Sequence, residues 1–319
     1  MVAATMPKLF SFAEYSHIGR FLDDLPGMEP GQFSLVRHPN QELHAVIQTP
    51  VSGQHCFLLG SIAPPDSQML SVMLLAHTLR KEGASRITGL LPYLAYARED
   101  KVKAGESLAT AWVGALLKAS AFDQIWAVDL HSEHDRQLLP LALESLSPAA
   151  IFAECLEKHG LTDASFVAPD EGAISRCQAV ASAVGKTPAD IVYFQKRRTA
   201  SGIVHHDPVG RVMRRAVIVD DVLDTGATLV SACEKLLAAG AEELYLCVTH
   251  GLFTGQRWRG LWSLAVQRIF CTDTVPACTG IQDPRVTTLP VGSLLRTRLV
   301  SFLTVGAQEA QTAGGCCSV

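Results

Sequence analysis

The sequence lacks the features that would assign the protein to a membrane-spanning, secreted or nucleic-acid-binding class. Its longest apolar stretches, such as residues 69–79, are too short and too interrupted to span a bilayer. The amino terminus shows no signal-peptide pattern, which predicts a cytoplasmic protein. A formal net charge of -4 gives no basic surface for nucleic acid or an anionic membrane, and no basic helix-turn-helix segment is visible.

The nine cysteines include no Cys-x-x-Cys pair. Six of them lie in apolar or helical contexts and are predicted to be buried, reduced thiols: Cys56, Cys155, Cys177, Cys233, Cys247 and Cys271. The chain ends in Cys316-Cys317-Ser318-Val319, but the middle positions are not aliphatic, as a prenylation signal requires. We therefore expect residues 306–319 to form a flexible tail.

A chain of 319 residues, 48% of them hydrophobic, is long enough for two domains with separate cores. Apolar, β-branched segments alternate with helical segments in both halves, which predicts an α/β protein with mainly parallel sheets. Pro148 marks the boundary between a domain of residues 1–148 and a second domain of residues 149–305.

The most informative stretch covers residues 216–228. Ala216 to Val219 reads as a strand buried on both faces that stops before Asp220 and Asp221. A small-residue loop follows, and then a helix with Leu229, Cys233, Leu236 and Leu237 on one face. Backbone N–H groups in such a loop, next to the positive end of a helix dipole, can bind an anion.

The acidic pair restricts the choice of ligand, since ionised carboxylates only accept hydrogen bonds and repel a simple phosphate. A sugar phosphate suits both the loop and the acidic pair, because its phosphate can bind in the loop while its vicinal hydroxyls donate to the carboxylates. The alternative is an ordinary turn from strand to helix with solvated aspartates.

This stretch resembles the phosphoribosyl pyrophosphate (PRPP) motif of type I phosphoribosyltransferases and ribose-phosphate pyrophosphokinases. The resemblance implies a ribose 5-phosphate site. Its residues would be Asp220, Asp221, Asp224, Thr225, Gly226, Ala227 and Thr228. The motif alone does not separate enzymes that make PRPP from enzymes that consume it.

Two further segments resemble the parts of the pyrophosphokinases that bind ATP. Residues 91–101 resemble Pro-Tyr-x-x-Tyr-Ala-Arg-Gln-Asp-Lys, with Glu99 in place of the usual Gln, and Arg98 would clamp phosphate oxygens. The polar turn His38-Pro39-Asn40-Gln41-Glu42, between two predicted strands, resembles a segment that reaches the nucleotide of a neighbouring subunit. The resemblance thus adds Asn40, Gln41 and Glu42 to the ATP site. A solvated charged turn and an ordinary hairpin are the alternatives.

Two residues are candidate metal ligands. His131, in Asp-Leu-His after a buried strand, matches the family residue that helps hold the magnesium of ATP. Asp170 lies in Pro-Asp-Glu-Gly-Ala, which resembles the pyrophosphate loop, and it is placed to hold the metal that bridges the phosphates. The His131-x-x-His134 spacing also suggests zinc, but no thiolate or second histidine pair lies near enough to complete that set.

Residues 195–202 contain three cations in a Ser/Gly-containing segment, which predicts a basic lid. The resemblance assigns Lys196 and Arg198 to catalysis, while a solvated basic loop is the alternative.

Taken together, these motifs are similar to those of the ribose-phosphate pyrophosphokinase family over almost the whole length. Residues 104–107 lack the basic Arg-Pro continuation of the best-known members and look more like the divergent, archaeal-type branch. The resemblance implies two doubly wound, phosphoribosyltransferase-like domains, the substrates ATP and ribose 5-phosphate, a Mg²⁺ cofactor and a dimer-based homo-oligomer. Two alternatives stay open: a phosphoribosyltransferase that consumes PRPP, and a catalytically silent regulatory subunit.

Overall fold

The structure is a computed structural model that describes residues 6–102, 104–132, 134–199, 202–205 and 207–314. The chain forms two units. Unit 1 runs from the amino terminus to Leu146 and includes the segment from Val291 onward, and unit 2 spans Ser147–Pro290.

Unit 1 is built on a six-stranded parallel sheet in the order β2-β1-β5-β6-β7-β8, with β3 and β4 paired as a separate antiparallel hairpin. Its strands are β1 (Lys8–Ser11), β2 (Glu29–Pro30), β3 (Phe33–Arg37), β4 (Leu43–Ile47), β5 (His55–Leu59), β6 (Arg86–Leu90), β7 (Gln124–Val128) and β8 (Ala142–Leu146). Its first four helices are α1 (Ser16–Gly19), α2 (Asp66–Lys81), α3 (Ala109–Ala119) and α4 (Asp135–Leu138).

Unit 2 repeats this architecture, with a six-stranded parallel sheet in the order β10-β9-β13-β14-β15-β16 and a second antiparallel hairpin, β11–β12. Its strands are β9 (Ser165–Ala168), β10 (Val192–Tyr193), β11 (Lys196–Thr199), β12 (Gly202–His205), β13 (Arg215–Leu223), β14 (Glu243–Gly251), β15 (Val266–Thr272) and β16 (Val286–Leu289). Its helices are α5 (Ala149–Lys158), α6 (Ile174–Ala183) and α7 (Ala227–Ala238).

The last helix, α8 (Gly292–Gly314), belongs to unit 1. Arg298 pairs with Glu144 of β8, and the ring of Phe302 lies 5.4 Å from that of Phe57 on β5. These contacts correct the domain division predicted from the sequence, which placed residues 149–305 together and gave residues 306–319 to a tail. Residues 315–319, with the Cys316-Cys317 sequence, lie outside the described residues.

The sheet of unit 2 is covered by apolar packing on both faces. Ala216 and Ile218 of β13 pack in one core cluster with the buried face of α7, and Val217 and Val219 pack in another with residues of α5 and α6. This alternation confirms the doubly wound α/β fold and the strand buried on both faces. The six cysteines predicted to be buried thiols are buried and free.

Each sheet has one point where the strand order reverses. In unit 1 the chain passes from β1 to β2 on one side and then returns to β5 on the other side of β1. In unit 2 it passes in the same way from β9 to β10 and then to β13 on the other side of β9. Loops at such a switch point leave a crevice at the carboxyl ends of the strands, where open α/β sheets bind ligands. Asp170 lies in the loop after β9, and Asp220 and Asp221 lie in the carboxyl-terminal part of β13.

Two local predictions differ from the structure. Strand β13 does not stop at Val219 but continues through the acidic pair to Leu223, because β14 pairs with it as far as Leu223 and Gly251. The basic segment that begins at Lys196 is paired as the β11–β12 hairpin rather than forming a loop, and Ala200 and Ser201 lie outside the described residues. No helix among the described residues combines the length and apolar character that a membrane crossing requires.

Candidate active site

The acidic pair lies at the switch point of unit 2 and is almost fully buried. Asp220 and Asp221 are 8% and 6% exposed, and the Oδ1 of Asp220 accepts a hydrogen bond from the backbone N–H of Asp221 (3.0 Å). Arg176, on α6, places its Nη1 3.7 Å from the Oδ1 of Asp221. The structure therefore adds a cation that the sequence patterns did not single out.

This arrangement perturbs Asp220. Burial, followed by the neighbouring Asp221 carboxylate, raises the pKa of Asp220 well above its usual range, and Asp170 adds to the increase while Arg176 opposes it. Among the described residues that influence Asp220, two carboxyl groups raise its pKa and one guanidinium lowers it. Hydroxyl donors or a divalent cation would relieve this excess of negative charge.

Asp170 begins the neighbouring loop and caps its helical turn. Its Oδ1 accepts a hydrogen bond from the backbone N–H of Ala173 (3.0 Å), which fixes the start of the 3-10 helix Glu171–Ala173. A Cβ at Gly172 would lie 3.2 Å from the same oxygen, so a glycine keeps this turn close to the carboxylate. The predicted metal ligand therefore lies in the electrostatic neighbourhood of Asp220.

Residues 224–228, hereafter the anion loop, connect β13 to α7. Gly226 precedes the helix with a φ of +84°, a left-handed conformation that favours glycine. Thr225 is exposed, and Asp224 and Thr228 are half-buried. Gly226, the residue that precedes the helix, has no side chain with which to cap it. The first N–H groups of a helix have no partner within the helix itself, so they can donate to an anion bound at this loop.

The predicted adenine-binding residues form the tip of the β3–β4 hairpin. The side chain of Asn40 accepts a hydrogen bond from the N–H of Glu42 (3.1 Å), and Gln41 has a φ of +72°. Arg37 donates to the carbonyl of Gln41 (2.7 Å). The tip is therefore an ordered turn whose side chains are exposed on the single chain.

Arg98 and Glu99 lie on the loop that leaves β6, and both are exposed. The Oε2 of Glu99 accepts a hydrogen bond from the hydroxyl of Ser107 (2.6 Å), and the N–H of Thr110 donates to its carbonyl (3.3 Å). The carboxylate that replaces the usual Gln is thus held by a neutral donor.

The loop that leaves β7 carries His131 and meets the Arg98 loop. The hydroxyl of Ser132 donates to buried Asp100 (3.0 Å), which joins the two loops at the carboxyl edge of unit 1. Asp135 is fully buried; its Oδ2 accepts from the N–H of Ser132 (3.0 Å), and its Oδ1 has no hydrogen-bond partner among the described residues. Burial raises the pKa of Asp135 to about 6.

The donor chemistry fits magnesium better than zinc. No three His, Cys, Asp or Glu side chains within the described part of the chain form a group that could hold a metal ion on their own. Magnesium needs no such group, because it is bound through one or two carboxylates together with substrate phosphates. The carboxylates near the anion loop provide hard oxygen ligands of this kind.

Lys196 and Arg198 occupy alternate positions of β11, where they pair with His205 and Ile203 of β12. The structure thus places both predicted catalytic residues on the hairpin that precedes β13, the counterpart of the β3–β4 hairpin in unit 1.

Sequence reasoning missed three features of these sites. Arg176 follows the pyrophosphate-like loop by only a few residues, so its place in the first turns of α6 was a usable signal. Asp135 and the buried Trp258, which packs against Gly226, gave no signal because both depend on tertiary contacts.

Unit 1 also has a cavity of about 360 Å³ at its own switch point, lined in part by Arg37, Glu14 and Ser61.

Two domain families match the chain. A model of the N-terminal domain of ribose phosphate pyrophosphokinase matches residues 7–120, and a model of the phosphoribosyl transferase domain matches residues 146–261. The crystal structure of phosphoribosylpyrophosphate synthetase from Mycobacterium smegmatis has a similar fold, with a TM-score of 0.80 and 23% identity, covering 93% of this chain and 99% of that one.

Curated relatives extend this likeness to sequence. The ribose-phosphate pyrophosphokinase of Gloeobacter violaceus is 29% identical over 292 residues, which cover 90% of this chain and 87% of that protein. The ribose-phosphate pyrophosphokinase of Haemophilus influenzae is 30% identical over 276 residues, which cover 84% and 87% of the two chains. With this identity across most of both chains, and both domain models in the expected order, the chain belongs to the ribose-phosphate pyrophosphokinase family.

Proposed function

We propose that the protein is a ribose-phosphate diphosphokinase, which transfers the diphosphoryl group of ATP to the 1-hydroxyl of ribose 5-phosphate. The oxygen at C1 attacks the β-phosphorus of ATP, the bond from that phosphorus to the α-phosphate oxygen breaks, and AMP leaves. The products are PRPP and AMP. The observation that carries the proposal is the buried pair Asp220 and Asp221 at the switch point of unit 2, which is influenced by Asp170 and is followed in the chain by the glycine turn that begins α7.

Ribose 5-phosphate would bind in unit 2 through both of its polar ends. The buried carboxylates of Asp220 and Asp221 accept hydrogen bonds from the ribose hydroxyls. The N–H groups of the anion loop and the hydroxyls of Thr225 and Thr228 donate to the 5-phosphate. This binding leaves the C1 oxygen free to react.

ATP would be held by Arg98, whose guanidinium binds phosphate oxygens, and by the hairpin tip of Asn40, Gln41 and Glu42, which contacts adenine. Glu99 stays near the nucleotide through its bond to Ser107. Because the hairpin tip is exposed on the single chain, we propose that it serves the nucleotide of a neighbouring subunit in a dimer-based homo-oligomer.

Mg²⁺ is the proposed cofactor: His131 would help hold the magnesium of ATP, and Asp170 would hold the metal that bridges the phosphates. When bound with ATP, the ion neutralises charge on the phosphates. Phosphoryl transfer depends on positioning and charge neutralisation rather than on covalent catalysis, and Lys196 and Arg198 would supply cations to the diphosphoryl group in the transition state. The buried free thiols support a reducing compartment, the cytoplasm.

The test is to incubate the purified protein with Mg²⁺, ATP and ribose 5-phosphate and to measure AMP. We expect AMP to form at a rate that depends on the sugar phosphate. A protein that releases no AMP, but consumes PRPP when purine or pyrimidine bases are supplied, would be a phosphoribosyltransferase. A protein that does neither, yet stimulates an active synthase, would be a regulatory subunit.

A further inference from the structure

The anion loop is held from outside by the segment that follows β14. The N–H groups of Leu252 and Phe253 donate to the carbonyl of Leu223 (2.9 and 3.0 Å), and the N–H of Thr254 donates to the carbonyl of Asp224 (3.2 Å). These bonds fix the entry of the loop but leave its turn at Gly226 to be held by other contacts.

Trp258 makes the contact at that turn. It is 1% exposed, and it lies so close to Gly226 that a Cβ added there would be 2.9 Å from its Cα and 3.1 Å from its Cβ. Its ring packs edge-on against Phe253, with centroids 4.9 Å apart. The left-handed turn therefore rests against the Cα and Cβ of Trp258, and the ring of Trp258 anchors these atoms against Phe253.

We propose that Trp258 is a positioning residue for the anion loop. Its Cα and Cβ lie against Gly226, and its ring, packed against Phe253, keeps them there. In this way Trp258 holds the loop in the conformation that directs the first N–H groups of α7 at the 5-phosphate of ribose 5-phosphate. The inference rests on the proposed function for the identity of this ligand. It assigns a role to a residue that touches no substrate and acts through the backbone of the loop.

Trp258→Leu keeps the Cα and Cβ that lie against Gly226 but removes the ring that anchors them against Phe253. In Trp258→Leu we expect the KM for ribose 5-phosphate to rise about tenfold, since a loop free to shift loses its aligned N–H donors. The KM for ATP and kcat stay within about twofold of wild type, because the loop binds the phosphate remote from the reacting oxygen and its contacts are the same in ground and transition states.

Trp262→Leu is the matched control. Trp262 lies on the same 3-10 helix, Arg257–Ser263, with its ring 6.2 Å from that of Trp258, but it packs against Arg285 (4.0 Å). It removes the same volume from the same element, so a general loss of stability would affect both variants. Equal KM values for ribose 5-phosphate in the two variants would overturn the proposal.

If Trp258→Leu does not fold, the pair Trp258→Phe and Trp262→Phe decides. Phe retains one ring that can pack against Phe253 but not the second ring of the indole, so we expect a two- to threefold rise in the KM for ribose 5-phosphate in Trp258→Phe alone. Equal KM values in Trp258→Phe and Trp262→Phe would refute the role. A wild-type protein that releases no AMP would refute the proposed function instead. In that case the affinity for ribose 5-phosphate alone, measured by calorimetry on wild type, on the Trp258 variant and on the matching Trp262 variant, would decide whether Trp258 supports the loop.

Discussion

The two units build the same strand, loop and helix at the switch points of their sheets, but with different side chains. In unit 1, Leu59 pairs with Ser11, the last residue of β1, and Gly60 and Ser61 follow. In unit 2, Ile218 pairs with Val167, the residue before the last of β9. Counted from this pair, Asp220 and Asp221 occupy the positions that Gly60 and Ser61 occupy in unit 1. The shared backbone therefore provides the crevice, and the side chains decide which ligand binds there.

The two loops also differ in the backbone N–H groups that they can offer to an anion. Pro64 and Pro65 precede α2, and prolines have no N–H to donate to an anion. In unit 2, Gly226 turns the chain into α7, and no proline interrupts the loop of residues 224–228, so each of its residues has an N–H group. The unit 1 copy thus lacks both parts of a sugar-phosphate site, the acidic pair and the amide-lined loop. We expect ribose 5-phosphate to bind unit 2 alone.

The largest effect should come from giving unit 2 the sequence of unit 1. Asp220→Gly with Asp221→Ser copies Gly60 and Ser61. Each hydrogen bond to a charged group contributes about 1.5–3 kcal/mol, so losing two should lower kcat/KM for ribose 5-phosphate by about 10²- to 10⁴-fold. Steady-state AMP formation measures this loss.

The matched control is Asp163→Ser with Asp190→Ser, which removes two exposed carboxylates of unit 2 and should stay near wild type. If the Asp220/Asp221 variant kept more than a tenth of wild-type kcat/KM, the comparison between the two loops would lose its basis.

The hairpins of the two units give the next contrast. Lys196, on β11, is proposed to stabilise the diphosphoryl group, whereas the β3–β4 hairpin carries the nucleotide-binding tip. By analogy with an arginine finger, Lys196→Ala should lower kcat about a thousandfold. Lys158→Ala, which removes an exposed lysine paired with Glu154 on α5, should leave kcat unchanged. Near-normal AMP release by Lys196→Ala would exclude the lid role.

Each unit also buries an aspartate at the carboxyl edge of its sheet. Asp135 in unit 1 has its pKa raised to about 6, mainly by burial. The native state therefore binds its proton more tightly than the unfolded state does. This contribution to stability is present at low pH and is lost as the pH rises through about 6.

Asp135→Asn removes this pH dependence. A shift of two pKa units corresponds to about 3 kcal/mol. The free energy of unfolding of Asp135→Asn, relative to that of wild type, should therefore rise by up to this amount between pH 4 and pH 7. Denaturant unfolding at both pH values measures this change in the free energy of unfolding. If the difference in unfolding free energy between Asp135→Asn and wild type is the same at pH 4 and pH 7, the native state does not hold Asp135 protonated.

The smallest effect concerns Glu99. Glu99→Gln restores the usual family residue, keeps an acceptor for Ser107 and removes an exposed negative charge near the proposed triphosphate. Since exposed charge interactions contribute about 0–1 kcal/mol, the KM for ATP should fall about two- to threefold. Ser107→Ala, which removes the donor but not the charge, should leave the KM for ATP within that range of wild type. An increase in KM for Glu99→Gln would mean that the carboxylate itself contacts the nucleotide.

The sequence predicts the α/β class, the duplicated halves and the buried strand at Val217 and Val219, because hydrophobic period and loop chemistry are local signals. It does not predict that β13 continues through Asp220, since a strand takes its length from its partner, here β14. The place of α8 in unit 1 depends on Arg298 and its distant partner Glu144. Contacts of this kind leave no periodic pattern in the chain.

The same limit applies to the site. Its acidic pair and its loop are adjacent in sequence and could be recognised. Arg176 and Trp258 come from other elements and appear only when the sheet order brings those elements together.

Titration calorimetry of the full-length protein with ribose 5-phosphate tests the central comparison most directly. We predict one binding site per chain in wild type and no measurable binding in the Asp220→Gly, Asp221→Ser variant. Two sites per chain, or unchanged affinity in the variant, would contradict the assignment of the sugar-phosphate site to unit 2.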